Sequence, residues 1–355
     1  MSTPSTSQAP SLRGRGHIPA LDGIRGIAVL LVLAGHNLRF PPGWVGVDLF
    51  FVLSGFLITR ILLETRESPQ YFKAFYLRRF LRIFPAYYLT VHVVLLLAGA
   101  NAGQWFWHLA YLGNMTGLAE HMFVPELEHT WSLATEEQFY LLWPLLVSRV
   151  PPRRLASLCW LLLLGALVAR LRIGAGDDLI RFYTFGPLTH SDGLLVGALV
   201  ALRVHGGWTH TRANIRGAQV VFFVCIAIMG GMAVTGHMAF TRHSTVMSVL
   251  GVPSVVFASA AGLWWAISLT EGSWAHRVLT GRSLTYVGRI SYGLYLYHIP
   301  VLLFGMEWLG VDDSNVWRYR AVGLGLAFVA FGVAALSWRA FEAPIQRLKK
   351  RFPYD

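Results

Sequence analysis

Charge is what this sequence is poorest in. Of its 355 residues only 14% are Asp, Glu, Lys or Arg, whereas 55% are hydrophobic and the mean hydropathy is +0.50. Soluble domains carry about 25% charged residues, so the composition excludes one and indicates a polytopic membrane protein. Cysteine is nearly absent: Cys159 and Cys225 both fall in apolar runs, and no disulfide framework is implied. No polar block long enough to fold alone interrupts the apolar segments, which points to one integrated bundle. The lack of an internal repeat weakens any assignment as a repeat-built transporter. Zinc-ligand spacing, a P-loop and the Rossmann glycine pattern are missing, so neither a metal nor a permanently bound cofactor is expected. A serine-nucleophile elbow is missing as well, because Ser54 in GVDLFFVLSGF is preceded by Val-Leu.

What is present begins with topology. Residues 1–16 (MSTPSTSQAPSLRGRG) are polar and Ser/Thr/Pro-rich, which predicts disorder. The first apolar run has no short h-region and cleavage site, so it reads as an uncleaved signal anchor. The predicted fold is all-α, a single bundle of about ten transmembrane helices of ~20 residues each. Their cores lie near 20–38, 44–63, 83–100, 131–148, 154–172, 184–203, 217–236, 246–270, 284–308 and 319–340. The net charge of +12 does not indicate nucleic acid, because the basic residues are spread over short loops between apolar runs.

Their distribution orients the bundle. With the N-terminus inside, cytoplasmic segments hold Arg13 and Arg15, the run from Arg60 to Arg82, Arg149, Arg153 and Arg154, then Arg203, Arg212 and Arg216. Arg277, Arg282 and Arg289 follow, and the basic tail 346–355 carries Arg347, Lys349, Lys350 and Arg351. Outer loops keep Arg39, Arg170, Arg172, Arg181, Arg242, Arg318 and Arg320; the long loop at 101–130 has no Lys or Arg but holds Glu120, Glu126 and Glu128. Both termini are therefore expected in the cytoplasm, with the chain in the plasma (inner) membrane. His36, Asp48, Glu136, Glu137, His190, Asp192 and His298 then fall in the middle-to-outer half of the membrane. Lys73, Arg78, Arg79 and Arg82 fall at the cytoplasmic surface. This predicts an outward polar cavity and an anion-binding mouth below it.

Four constellations carry candidate chemistry. In PALDGIRGIAVLLVLAGHNLRFPPGWVGVDLFFVLSGFLIT, residues 19–59, two apolar helices meet at an Arg-Phe-Pro-Pro-Gly turn and carry Asp22, Arg25, His36 and Asp48. Arg25 and His36 share a helical face roughly 16 Å apart. An intramembrane ionisable group is costly and is a functional-site hypothesis by default. A partly buried neutral imidazole suits a general base, but a helix-end histidine bonded to a backbone carbonyl is the structural alternative. Arg25 is equally able to pair with Asp22 or Asp48. In YFKAFYLRRFLRIFPAYY, residues 71–88, Arg78, Arg79 and Arg82 form one cationic face. It is either a phosphate clamp or an anchor on anionic lipid. In HTWSLATEEQFYLLWP, residues 129–144, Glu136 and Glu137 point about 100° apart, so only one is expected to face the bundle centre. In VGRISYGLYLYHIPV, residues 287–301, Ser291, Tyr295 and His298 make a polar stripe, either interhelical glue or cavity wall.

Together these stretches resemble the integral-membrane acyltransferase-3 family, O-acyltransferases that modify bacterial surface polysaccharides, Nod factors and macrolides. LDGIRGIAVLLVLAGH, GVDLFFVLSGFLIT, FYLRRFLRIFPAYY, WSLATEEQFYLLWP, SDGLLVGALVA, VGRISYGLYLYHIPV and FEAPI carry the likeness in fixed order from residue 19 to 345. The resemblance implies an acyltransferase domain over 17–345 and an acyl-CoA co-substrate, acetyl-CoA in the first instance. It implies His36 as the essential base, Arg79 and Arg82 near the donor, and Glu136 ahead of Glu137. One departure is that His190 and Ser191, not an arginine, precede Asp192, so acceptor contacts are expected to differ. Many relatives carry an extra C-terminal esterase-like domain, and none is expected here.

The enzyme expected on these grounds moves an acyl group from acyl-CoA to a hydroxyl of a sugar-containing acceptor. His36 serves as base, with Glu136 first and Asp48 second as the carboxylate that orients it. Arg25, Arg78, Arg79 and Arg82 are the donor-binding candidates. Asp192, Ser291, Tyr295 and His298 are candidates for acceptor or cavity wall. A transporter or flippase of a glycan or lipid-linked substrate is the rival class, and a covalent acyl-histidine is the rival mechanism.

Overall fold

The computed structural model describes residues 17–118, 120–173, 186, 190–235 and 246–354. The expectations for residues 1–16, for the start of the sixth predicted segment and for Arg181 and Arg242 lie outside the described residues, as do the side chains of Glu120 and Arg172.

Among the described residues every regular element is helical. In chain order they are α1 (Pro19–Leu38), α2 (Val45–Glu64), α3 (Tyr71–Leu97), α4 (Ala102–Leu109), α5 (Thr130–Arg149), α6 (Pro152–Ile173) and α7 (Asp192–His205). There follow α8 (Arg212–Val234), α9 (Val252–Ile267), α10 (Trp274–Leu279), α11 (Arg282–Trp308), α12 (Val316–Ser337) and α13 (Ala343–Arg347). Each predicted core, as far as it is described, falls on one of the longer helices. The chief difference is α3, which starts at Tyr71 and continues through Pro85 to Leu97. The basic stretch with Arg78, Arg79 and Arg82, expected at the cytoplasmic surface ahead of the third predicted core, therefore belongs to the first half of that helix.

Among the described residues seven segments are long and apolar enough to cross a membrane. Helices α5, α7 and α11 are not among them, for readable reasons. Glu136, Glu137 and Gln138 lower the hydropathy of α5, Ser291 and His298 contribute polarity to α11, and α7 is described over only 14 residues. The outward faces of α6, α8 and α12 expose Trp160, Leu161, Leu164, Phe223, Val224, Phe328 and Val329. Such an apolar exterior needs lipid around it, so the chain is a multi-pass membrane protein.

Helices α1 and α2 form the hub. Helix α1 packs against α2, α11 and α12, and α2 packs against α7, α5 and α9. Close approach at these seams depends on glycine, as expected where dispersion drives helix association in lipid. A Cβ on Gly288 would lie 1.8 Å from the Asp22 carbonyl oxygen, and one on Gly55 would lie 2.0 Å from that of Leu194. Gly165 on α6 has nothing within 4 Å of the same position. Gly55→Ala is therefore expected to force α2 and α7 apart and destabilise by about 1–3 kcal/mol. Gly165→Ala is expected to be neutral or stabilising, and thermal unfolding in detergent compares the two.

Candidate active site

Three helices bring guanidinium and carboxylate groups around one cavity. Pro19 at the first helical position fixes the start of α1, and Asp22 in its first turn faces the positive helix end. One turn on, the Arg25 guanidinium donates to Asp22 Oδ1 at 3.4 Å, and His17 Nε2 meets Asp22 Oδ2 at 2.8 Å. Arg25 then joins Arg79 and Arg82 of α3 and Glu136, Glu137 and Tyr140 of α5 as the polar wall of the cavity. Ser54, Ser132, Ser291, Tyr292 and Tyr295 continue that wall. Its water-accessible volume is about 80 Å³, room for roughly six waters, which suits a narrow chain better than a bulky nucleotide.

The wall is electrically mixed. Glu136 faces Ser54 and all three guanidiniums. Arg79 also lies over the Tyr140 ring at 4.9 Å, and the Tyr140 hydroxyl bonds to Ser54. Both glutamates line the cavity, which corrects the expectation that one would turn away. The cavity curves around α5 far enough to receive two side chains about 100° apart. The wall itself carries three guanidiniums, Arg25, Arg79 and Arg82, and two carboxylates, Glu136 and Glu137, while Asp22 pairs with Arg25 from behind it. The arginine forks can donate to the oxygens of an anionic guest.

Further along α1 lies a histidine cluster. His298 on α11 is fully buried and its Nδ1 meets the Tyr295 carbonyl at 2.6 Å. A carbonyl only accepts, so that nitrogen carries the proton and His298 Nε2 is an acceptor. His36 Nδ1 lies 3.2 Å from His298 Nε2 and 3.1 Å from the Val32 carbonyl. Facing two acceptors, it donates, which leaves the lone pair of His36 on Nε2. The carbonyl bond of a structural helix-end histidine is thus present, but so is a buried imidazole that such a role does not need. His36 itself is exposed.

The backbone around His36 is tied down from α12. The last carbonyls of a helix lack intrahelical donors. Here the Tyr319 hydroxyl donates to His36 O at 3.1 Å, Arg320 Nε to Leu38 O at 2.9 Å, and Asn37 Nδ2 reaches Gly323 O at 3.0 Å. The chain then turns through Arg39 in the left-handed region (φ 51°) and a 3₁₀ turn at Pro41–Trp44.

Other predicted residues go elsewhere. Asp48 was expected to orient His36; instead its fully buried carboxylate pairs with His190 Nε2 at 3.3 Å. Asp192, an acceptor candidate, takes the guanidinium of Arg170 at 2.8 Å. Arg170 was expected in an outer loop and is half-buried on α6. None of these four lines the cavity. Arg78 does not line it either: its Nη1 donates to the carbonyls of Lys349 and Phe352 at 3.0 and 3.1 Å. It sits one residue before Arg79, about 100° round the helix, which separates the two. Ser291 and Tyr295 do reach the cavity, and Tyr295 connects it to the histidines. The Tyr295 hydroxyl bonds to Ser132 at 2.6 Å and donates to the His129 carbonyl at 3.0 Å.

Sequence reasoning passed over His129, whose ring lies 5.2 Å from that of His298. Pro300 has no N–H to give the Leu296 carbonyl four residues back. His129 Nε2 takes that acceptor at 3.0 Å. The signal was available: His129, Ser132, Glu136 and Tyr140 recur at helical spacing, a second polar stripe facing Ser291, Tyr295 and His298. Nothing in the sequence announced that the two stripes meet.

The chain matches the acyltransferase domain family over residues 18–339. It is 31% identical to the peptidoglycan O-acetyltransferase OatA of Listeria monocytogenes, over 94% of this chain and 56% of that protein. It is 28% identical to the O-acetyltransferase OatA of Staphylococcus aureus, over 93% of this chain and 57% of that protein. The chain thus spans little more than half the length of these relatives, and no solved structure matches it. The chain belongs to the acyltransferase domain family.

Proposed function

We propose that this protein is a membrane O-acyltransferase that moves an acyl group, acetyl in the first instance, from cytoplasmic acyl-CoA to a hydroxyl of a glycan. In this account the ten longer helices all cross the plasma membrane, with both ends of the chain in the cytoplasm. The observation that carries it is the pairing of two features on α1. Arg25 belongs to an arginine-lined cavity and His36 to an exposed histidine pair, roughly 16 Å apart along the axis. That is about the reach of an extended pantetheine arm. Phosphates held near Arg79 and Arg82 would leave the thioester beside His36.

The chemistry then follows from the tautomer. His36 Nε2 takes the proton of the acceptor hydroxyl while its oxygen attacks the thioester carbonyl. A C–O bond forms, the C–S bond breaks, and the imidazolium returns the proton to the departing thiolate. His298, buried and fixed by the Tyr295 carbonyl, accepts from His36 Nδ1 and holds the ring in register, the part a carboxylate plays in a triad. Glu136 balances the cavity arginines and sets the charge of the donor path. The acceptor class is drawn from the relatives, which are named for O-acetylation, one of them of peptidoglycan.

The test uses purified protein, an acyl-CoA with an isotopically labelled acyl group, and a panel of cell-wall glycans and glycosides. The expected result is a product heavier by one labelled acyl group, with an equal amount of free CoA thiol. A glycoside that crosses a bilayer with its mass unchanged would replace this account with a transporter.

A further inference from the structure

The segment after the family match folds back onto the arginine end of the cavity. Beyond α13 the chain makes a 3₁₀ turn, Leu348–Arg351, and runs on to Tyr354. Arg78 gives one guanidinium nitrogen to the Lys349 and Phe352 carbonyls, and its guanidinium carbon lies 5.0 Å from the centre of the Tyr354 ring. Ser68, before α3, donates to the Tyr354 carbonyl. The segment is thus fastened at both ends to the start of α3, the helix that carries Arg79 and Arg82.

This fastening turns one of its four basic side chains inward. Arg347, Lys350 and Arg351 are exposed, as a generic basic tail would be, whereas Lys349 is half-buried. Its ammonium donates to Gln346 Oε1 at 2.8 Å, and among the described residues the charged groups that bear on it are Arg82, Arg79, Arg78 and Arg25, all positive. Folding a fifth cation against four is unfavourable unless the place serves a multiply charged anion. Three of those arginines belong to the proposed donor path or adjoin it, and the fourth holds the segment in place.

We propose that Lys349 contacts the phosphate at the adenosine end of the donor, and that Arg78 is a positioning residue that docks the segment carrying it. This rests on the acyl-CoA account above. The cavity's water-accessible volume of about 80 Å³ suits the pantetheine arm, so the nucleotide is placed at the mouth, where the 3′-phosphate is the anion farthest from the thioester.

The experiment measures binding of CoA and of 3′-dephospho-CoA to the full chain in detergent, by calorimetry. Lys349→Ala is expected to weaken CoA about tenfold or more, the scale of a charged hydrogen bond, and to leave dephospho-CoA unchanged. Lys349→Arg restores CoA binding, and Lys350→Ala matches wild type. Arg78→Ala reproduces the loss, and adding it to Lys349→Ala gives less than the product of the two effects. Equal CoA affinity in wild type and Lys349→Ala overturns the proposal while the donor account stands. A wild-type protein that binds no CoA overturns both.

Discussion

Alanine at position 36 lowers acyl transfer about 10²–10⁴-fold, the usual worth of a general base, while the protein still inserts and still binds CoA. The reason is local. His36 is the exposed member of the histidine pair, and the tautomer set by His298 and the Val32 carbonyl puts its lone pair on Nε2. Removing an exposed side chain costs little packing, so the expected signature is loss of kcat with unchanged donor affinity. The backbone at this position stays tied through Tyr319 and Arg320. A variant that is well expressed and transfers at near the wild-type rate would remove His36 from the mechanism and leave it as a helix-end histidine on Val32.

The second large effect is at the other end of the cavity. Arg79→Ala and Arg82→Ala are each expected to raise the KM for acyl-CoA about tenfold or more, because each deletes charged hydrogen bonds to phosphate. Stability falls too, since Glu136 and Glu137 lose countercharge. Lysine variants separate the two consequences. They keep the charge that balances the glutamates but lose the planar fork, so folding recovers more than donor binding does. If both alanine variants bind CoA like wild type and only unfold more easily, the arginines are structural, balancing the glutamates and nothing more.

Much of this was legible in the sequence because helices in lipid obey simple periodicities. The long apolar runs gave the helix positions, and polar residues interrupting them, Arg25, His36, Glu136 and His298, stood out against the cost of burying charge. Spacing along one helix was readable as well, which is why Arg25 and His36 were separable by three turns. Pairing between helices was not. Asp48 lies twelve residues from His36, and only the packing of α2 against α7 shows that it belongs to His190 instead. Arg78 looked equivalent to Arg79 on the helix face, and only the returning tail distinguishes them. His129 owes its place to a carbonyl freed by Pro300, a contact between residues 167 apart in the chain that requires both helices in position.

The central claim is that donor and acceptor reach His36 from opposite faces of the membrane. Proteoliposomes of uniform orientation test it most directly, with labelled acyl-CoA supplied on the side of the Arg79 and Lys349 mouth and a membrane-impermeant glycoside on the other. Acylated glycoside is expected only in that arrangement, and not with His36→Ala. Product formed only when both substrates are on the same side would contradict the account.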